Sequence, residues 1–212
     1  FEALKLNTTG FMNTAVGGLA ADAGTTASYN TAIGYEALTT NTTTNSNTAI
    51  GYAALKLNTA TGNTAVGTEC LDANTTGGSL VAVGYRALGA NTTANNNTAV
   101  GTDSMISNTT GTENAALGTY SLYTNTTGDN NTALGSRALY TNAASNNTAI
   151  GYQALKLNTT GTDNVAVGNN CLDANTTAND NTAMGSGALG ANTTGTKNTG
   201  LGRGVLNAAT TA

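Results

Sequence analysis

The sequence contains no proline, no histidine and no tryptophan, and only 8% of its 212 residues are charged. Ordinary soluble domains carry roughly a quarter charged residues, so another feature must keep this chain hydrated. Asparagine and threonine, which bond to water without carrying charge, crowd almost every stretch. The formal net charge of -4 argues against binding a phosphate backbone, which needs clustered Lys and Arg. We therefore expect no nucleic-acid partner.

The sequence also lacks the residues and segments that catalysis, metal binding and membrane insertion require. There is no histidine, and no nucleophile, base and acid recur together, so we predict that the chain is not an enzyme. The aspartates form no repeated ligand set, and neither a metal nor another cofactor is expected. No run approaches the roughly 18 apolar residues of a spanning helix. The chain opens without a basic, apolar and small-residue leader, so any targeting signal or anchor is expected outside this segment.

One short repeat organises the sequence. Aligned on the glycine of Asn-Thr-Ala-aliphatic-Gly, the units follow each other every 17 residues, apart from two steps of 16. The unit reads N-T-A-[IVLM]-G-[YT]-x-[AC]-L-x-x-N-T-T-x-x-x, and its positions are counted here from the first Asn. In solenoid proteins each unit contacts only its neighbours, so units can be duplicated in tandem without disturbing the rest of the fold. We expect residues 1–212 to form a single tandem-repeat segment.

The pattern within a unit favours short strands. Gly, Asn and Thr interrupt every apolar stretch, which argues against helices. Asn-Thr-Ala-aliphatic and the following Tyr-x-Ala-Leu each suit a strand, with Gly at a bend between them. Stacking units at about 4.8 Å pairs each strand with its counterpart in the next coil. The sequence therefore predicts an all-β fold, a parallel β-solenoid or β-roll of about twelve 17-residue repeats.

The large apolar residues recur at positions four and nine, and we predict that both rows point into the core. Positions three and eight are kept small. The predicted core rows are Val16, Ile33, Ile50, Val66, Val83, Val100, Leu117, Leu134, Ile150, Val167, Met184 and Leu201 at position four, with Leu38, Leu55, Leu71 and Leu88 at position nine. Burial of so few large side chains in each unit does not clearly offset the conformational entropy that the backbone of the unit loses on folding. We therefore predict a homotrimer, able to extend as a filament, with a single-chain solenoid as the main alternative.

The asparagine at position twelve has two interpretations. Most of these residues precede Thr-Thr and so form glycan-acceptor sequons. A structural row is favoured, because Asn tolerates a left-handed corner and stacked amides bond to each other along a fibre axis. The predicted turn row is Asn41, Asn58, Asn74, Asn91, Asn108, Asn125, Asn158, Asn175 and Asn192.

Threonine rows and tyrosines raise two ligand hypotheses. Regular threonines on a solenoid would suit an ice-binding face, but threonine is equally what a solvated β surface uses. The tyrosines at position six would stack on sugar rings or simply pack between coils, and packing is favoured because Thr and Ser replace them freely. The candidate ligand contacts are Tyr35, Tyr52, Tyr85 and Tyr152.

The two cysteines are too few for a disulfide scaffold and lack metal-ligand spacing. Cys70 and Cys171 share position eight in units six repeats apart, which places them about 29 Å apart at strand spacing and beyond disulfide reach. Buried free thiols are favoured over cross-chain bridges.

The strings NTAIGYEAL, NTAIGYAAL and NTAIGYQAL resemble the head repeats of YadA-like trimeric autotransporter adhesins, and still more the repeat arrays of bacterial and phage tail-fibre proteins. The resemblance covers essentially the whole chain. It implies a trimeric left-handed parallel β-roll, with Ala32, Ile33, Gly34 and their equivalents in the strand and bend.

It also implies the expected function, which is a structural and adhesive fibre segment outside the cell, at a cell surface or on a virion. The first and last units are incomplete, and we expect the chain to be a fragment of a longer fibre protein. The expected partners are identical chains and a receptor or glycan on a host cell or other surface. An ice- or glycan-binding β-solenoid is the alternative.

Overall fold

The computed structural model describes residues 1–207. Within this range the regular secondary structure consists of twelve strands of three residues each, and no helix is present. The chain divides into two compact units, Phe1–Thr110 and Gly111–Ala212. The first unit contains β1 (Thr14–Val16), β2 (Thr31–Ile33), β3 (Thr48–Ile50), β4 (Thr64–Val66), β5 (Val81–Val83) and β6 (Thr98–Val100). The second contains β7 (Ala115–Leu117), β8 (Thr132–Leu134), β9 (Thr148–Ile150), β10 (Val165–Val167), β11 (Thr182–Met184) and β12 (Thr199–Leu201).

Within each unit, each strand pairs in parallel with its successor along the chain. In the first unit the ladder runs from β1 to β6, and in the second from β7 to β12. Equivalent repeat positions are partners, as Ala32 with Ala49 and Ile33 with Ile50 show. Both units are therefore parallel β-solenoids, and the predicted fold class is confirmed. The single array over 1–212, the left-handed coil and the homotrimer stay predictions.

The glycine at position five ends each strand with a backbone conformation that side chains rarely tolerate. Gly84, for example, has a φ of 136°. A Cβ atom built on Gly84 would fall 2.5 Å from the carbonyl oxygen of Gly101 in the next coil. Coils therefore stack closely at this bend because the repeat keeps glycine there.

The predicted second strand, Tyr-x-Ala-Leu, is wrong, and this segment forms turns. Ala37 and Leu38 are adjacent and both fully buried. In a strand, successive side chains point to opposite faces, so one of the two would be exposed. Leu38 instead adopts a left-handed backbone, with a φ of 54°, and its N–H donates to the carbonyl of Ala54 in the next coil at 3.0 Å. Burial and this bond together offset the cost of a left-handed leucine.

The core of each unit lies between the strand ladder and these turns. It is filled by the alanines of position three, the small residues of position eight and the leucines of position nine, all of them buried in nearly every coil. Two rows of asparagine line it as well. Over the described residues, no helix is long and apolar enough to span a membrane.

Candidate interaction face

The aliphatic residues of position four lie on the outer face of the strands, so the prediction that they form a core row is wrong. Val66, Val83, Val100 and Val167 are partly exposed. The others are exposed: Val16, Ile33, Ile50, Leu117, Leu134, Ile150, Met184 and Leu201. The reason is strand alternation, because the alanine of position three points inward and its neighbour must point outward.

The leucines of position nine do lie in the core. Leu38, Leu55, Leu71 and Leu88 have no exposed surface at all. Leucine rarely adopts a left-handed backbone, so residue preferences do not predict the turn that buries these side chains. The only signal in the sequence is that leucine recurs at this position.

The position-four side chains form what we call the outer aliphatic row of each unit. In the first unit it comprises Val16, Ile33, Ile50, Val66, Val83 and Val100. In the second it comprises Leu117, Leu134, Ile150, Val167, Met184 and Leu201. Within each unit the parallel register brings each member next to its equivalent in the following coil. A contiguous exposed apolar strip of this kind is typical of an interaction surface, whereas single exposed apolar residues are ordinary.

The threonines of positions two and thirteen differ in their hydrogen bonding. Those of position thirteen link successive coils, because the hydroxyl of Thr59 donates to the carbonyl of Thr75 at 2.9 Å, and the hydroxyl of Thr75 donates to the carbonyl of Thr92 at 2.9 Å. The threonines of position two, such as Thr31 and Thr48, share the outer face with the aliphatic row. Their hydroxyls make no hydrogen bond to a described residue. Position two therefore offers hydroxyl groups to solvent or to a partner.

The asparagines of position twelve form buried ladders. In the first unit the side-chain amide of Asn74 donates to the Asn58 oxygen at 2.8 Å and to the Gly77 carbonyl at 2.9 Å, while Asn91 donates to the Asn74 oxygen at 2.8 Å. Asn41, Asn58, Asn74, Asn91, Asn108, Asn125, Asn158, Asn175 and Asn192 are all buried. This arrangement favours the structural interpretation, because a folded sequon of this kind presents no free amide nitrogen to a glycan.

A second asparagine ladder was missed by the sequence analysis. At position one, the Asn47 oxygen accepts the backbone N–H of Asn63 at 3.0 Å, and the Asn63 amide donates to the Gly77 carbonyl at 2.8 Å. The Asn58 oxygen accepts from both Asn63 and Asn74, which joins the two ladders. The signal was present, since eleven of the twelve aligned units begin with Asn and Leu80 is the exception.

The tyrosines of position six are about half exposed, as expected for surface residues. Tyr35 and Tyr52 lie in successive coils with ring centroids 6.0 Å apart and planes 10° apart. Tyr85 packs under the guanidinium of Arg86, 4.9 Å from its centroid. Stacked rings cover each other's faces, which leaves edges and hydroxyl groups for a ligand. Sugar contact by Tyr35, Tyr52, Tyr85 and Tyr152 stays a hypothesis.

A tyrosine cluster in the second unit was not anticipated. Tyr123 and Tyr140 occupy position ten of successive coils, and their rings stack with centroids 5.0 Å apart and planes 4° apart. Tyr120 meets Tyr123 edge-on at 5.5 Å. Position ten is variable in the repeat, so neither composition nor period singled these residues out.

Both cysteines are fully buried and free. The Cys70 sulfur lies 3.2 Å from the carbonyl oxygen of Ala82, and that of Cys171 lies 3.3 Å from Ala183. Burial raises the pKa of the Cys70 thiol to about 12 and that of Cys171 to about 11. They fill space at the small position eight and are not poised as nucleophiles.

Neither unit contains a pocket in the part of the chain that the structure describes, and residues 1–207 hold no cluster of three metal-ligating side chains. Comparisons of the chain with protein-family models, with curated proteins and with solved structures found no match.

Proposed function

We propose that this chain is a structural and adhesive segment of an extracellular fibre, in which identical chains associate as a homotrimer through their outer aliphatic rows. The outer aliphatic row is the observation that supports this proposal most strongly. Each row presents valine, isoleucine, leucine or methionine at the same place in every coil, with a fully buried alanine beside most of them.

The regularity of the row favours a second copy of the chain as its partner. A surface that repeats with every coil is matched along its length only by a surface with the same repeat. Another copy supplies such a surface, whereas an unrelated globular protein meets only part of it. Burying these side chains also removes apolar area from water, which would stabilise an assembly of thin solenoids.

The adhesive part of the proposal rests on repetition. The polar groups that line the core bond from coil to coil, so the side chains available to a receptor or glycan are those on the surface, repeated at short intervals. Many weak and identical contacts give strong attachment through multivalency. The resemblance of the NTAIGYxAL units to adhesin heads and tail-fibre arrays agrees with this role at a cell or virion surface.

The proposal is tested with paired charges in the row. The double variant Ile33→Asp and Ile50→Asp should dissociate the trimer into single chains, because each carboxylate would be buried without a partner at the interface. Thr43→Asp, an exposed position away from the strands, is the matched control and should leave the assembly intact. Sedimentation velocity reports the assembly, and binding to immobilised cells reports adhesion. An unchanged sedimentation coefficient in the double variant would contradict the interface.

Ice binding is the second candidate, and the outer face gives it one supporting observation. The unbonded hydroxyls of position two lie beside the aliphatic row, and together they make a regular surface of hydroxyl and methyl groups. Val81, Ala115 and Val165 interrupt the threonines at that position. Inhibition of ice recrystallisation by the purified chain, lost in Thr31→Lys and Thr48→Lys together, would favour this function over the fibre.

A further inference from the structure

The closest pair of stacked rings in the second unit is Tyr123 with Tyr140. Their positions are fixed by the backbone, because the N–H of Leu122 donates to the Ala138 carbonyl at 3.0 Å and that of Thr124 donates to the Tyr140 carbonyl at 3.1 Å. These two bonds hold the residues on either side of Tyr123 against the coil that carries Tyr140. The rings therefore face each other as a consequence of coil register.

Both rings are half-buried at the surface, in reach of small molecules in solvent. The two ring planes are nearly parallel, at 4°, and the centroids lie 5.0 Å apart, so the two phenol rings are direct neighbours. Because both side chains are only partly buried, they can rotate toward each other, which coupling between their ring carbons requires.

We propose that Tyr123 and Tyr140 form an oxidative cross-linking site, at which a haem peroxidase with hydrogen peroxide joins the two rings as dityrosine and so ties adjacent coils covalently. The proposal is independent of the adhesive role of the chain. It assigns a covalent modification to two rings for which the fold alone provides only packing contacts.

The chemistry balances with hydrogen peroxide as the oxidant. Each phenol loses one electron and one proton to give a tyrosyl radical, and the two radicals join through a new carbon–carbon bond between ring carbons adjacent to the oxygens. Each ring then regains aromaticity by moving the hydrogen on its bonded carbon to the oxygen. The peroxide takes up the two electrons and two protons and is reduced to two molecules of water.

Such a bond would matter because no disulfide joins the coils over residues 1–207. Cys70 and Cys171 are both free and buried. A link between Tyr123 and Tyr140 closes a loop of one repeat, which restricts the unfolded chain in the way that a disulfide does. The first unit contains a looser version of the same site, Tyr35 with Tyr52, whose centroids are 6.0 Å apart.

The test treats the whole chain, at low concentration, with peroxidase and hydrogen peroxide. Dityrosine fluorescence, denaturing gels and mass spectrometry of tryptic peptides are then recorded. Trypsin separates Tyr123 from Tyr140 by cutting after Arg137, so the expected product is a linked peptide pair two hydrogens lighter than the sum of its parts. It should come from a band with the mobility of a single chain, and the treated chain should melt several degrees higher.

Tyr140→Phe, which removes the phenol hydroxyl, should abolish this linked pair. Tyr152→Phe removes the hydroxyl of a ring that stacks on no other described ring, and should leave the yield unchanged. N-acetyltyrosine dimers formed in the same tube show that the oxidant is active. Absence of the linked pair, its appearance only in bands of joined chains, or an equal yield from Tyr140→Phe would each overturn the proposal.

Discussion

Ala49 and Ile50 are neighbours in β3, and Ala49 is fully buried while Ile50 keeps 36% of its surface exposed. The same inward alanine and outward aliphatic residue recur in nearly every strand of both units. The interior is therefore built from alanine, leucine and asparagine, while the bulkiest strand residues face outward. Substitutions in the two sets are expected to act differently, on the coil itself in one case and on association in the other.

Truncation of a core leucine should destabilise the coil directly. Leu55→Ala is expected to lower the free energy of unfolding by about 2–5 kcal/mol, because it leaves a cavity where a fully buried side chain was. Chemical denaturation followed by circular dichroism measures this. Thr43→Ala, at an exposed position, should stay within about 0.5 kcal/mol of the unsubstituted chain. Similar losses in both variants would show that Leu55 is not part of the core.

Glycine at position five should be much harder to replace than a left-handed glycine elsewhere in the coil, such as Gly62. Gly62 and Gly84 both have positive φ, at 72° and 136°. A Cβ on Gly62 meets nothing within 4 Å, whereas one on Gly84 would strike the next coil. Gly62→Ala should therefore cost about 1–2 kcal/mol from backbone strain alone. Gly84→Ala should cost more than about 3 kcal/mol, and equal thermal shifts would refute close stacking at Gly84.

The fold class followed from the sequence because the repeat is nearly perfect and each unit carries one strand-like stretch, such as Thr48–Ile50, ended by Gly51. Which side chains point inward did not follow. Position four was expected in the core because its residues are large and apolar. The rule that burial follows hydrophobicity fails for these strands, because their inward positions carry alanine and their outward positions carry the larger side chains. The direction of each side chain is set by strand alternation, with Ala49 pointing inward and Ile50 outward.

The turns after the strand were harder to predict for a different reason. Glu36 and Leu38 both adopt left-handed backbones, with φ near 57° and 54°, although neither residue type favours this conformation. The inter-coil hydrogen bond of Leu38 compensates, and such bonds exist only once coils are stacked. Local sequence preferences carry no information about them. The tyrosine pair at position ten was missed because only the register of two coils brings Tyr123 to Tyr140.

The buried asparagine ladder should be as important as the apolar core. Asn74→Ala removes hydrogen bonds to Asn58 and Gly77 and leaves buried polar groups without partners. We expect a loss of about 2–4 kcal/mol, together with faster amide hydrogen exchange in the adjacent coils. Thr76→Ala, an exposed neighbour, serves as the control. Unchanged exchange rates around Asn74 would mean that the ladder contributes little.

The thiols give a pH-dependent prediction. Burial raises the pKa of Cys70 from 9.0 to about 12. The folded chain therefore holds this proton more tightly than the unfolded chain, so the contribution to stability is full below pH 9 and is lost as the pH rises from 9 toward 12. Stability of the chain should fall over that range, and less steeply in Cys70→Ala.

Reactivity offers an independent check of the same burial. At neutral pH a thiol reagent should leave Cys70 and Cys171 unmodified in the folded chain and should label both after denaturation. Rapid labelling of the folded chain would contradict the buried placement of the two side chains.

The claim on which the proposed function depends is that identical chains cover each other's outer aliphatic rows. Light scattering coupled to size-exclusion chromatography measures the molecular mass of the unsubstituted chain in solution and so tests this claim directly. We predict the mass of three chains, maintained on dilution through the micromolar range. The mass of a single chain at every concentration would contradict the claim.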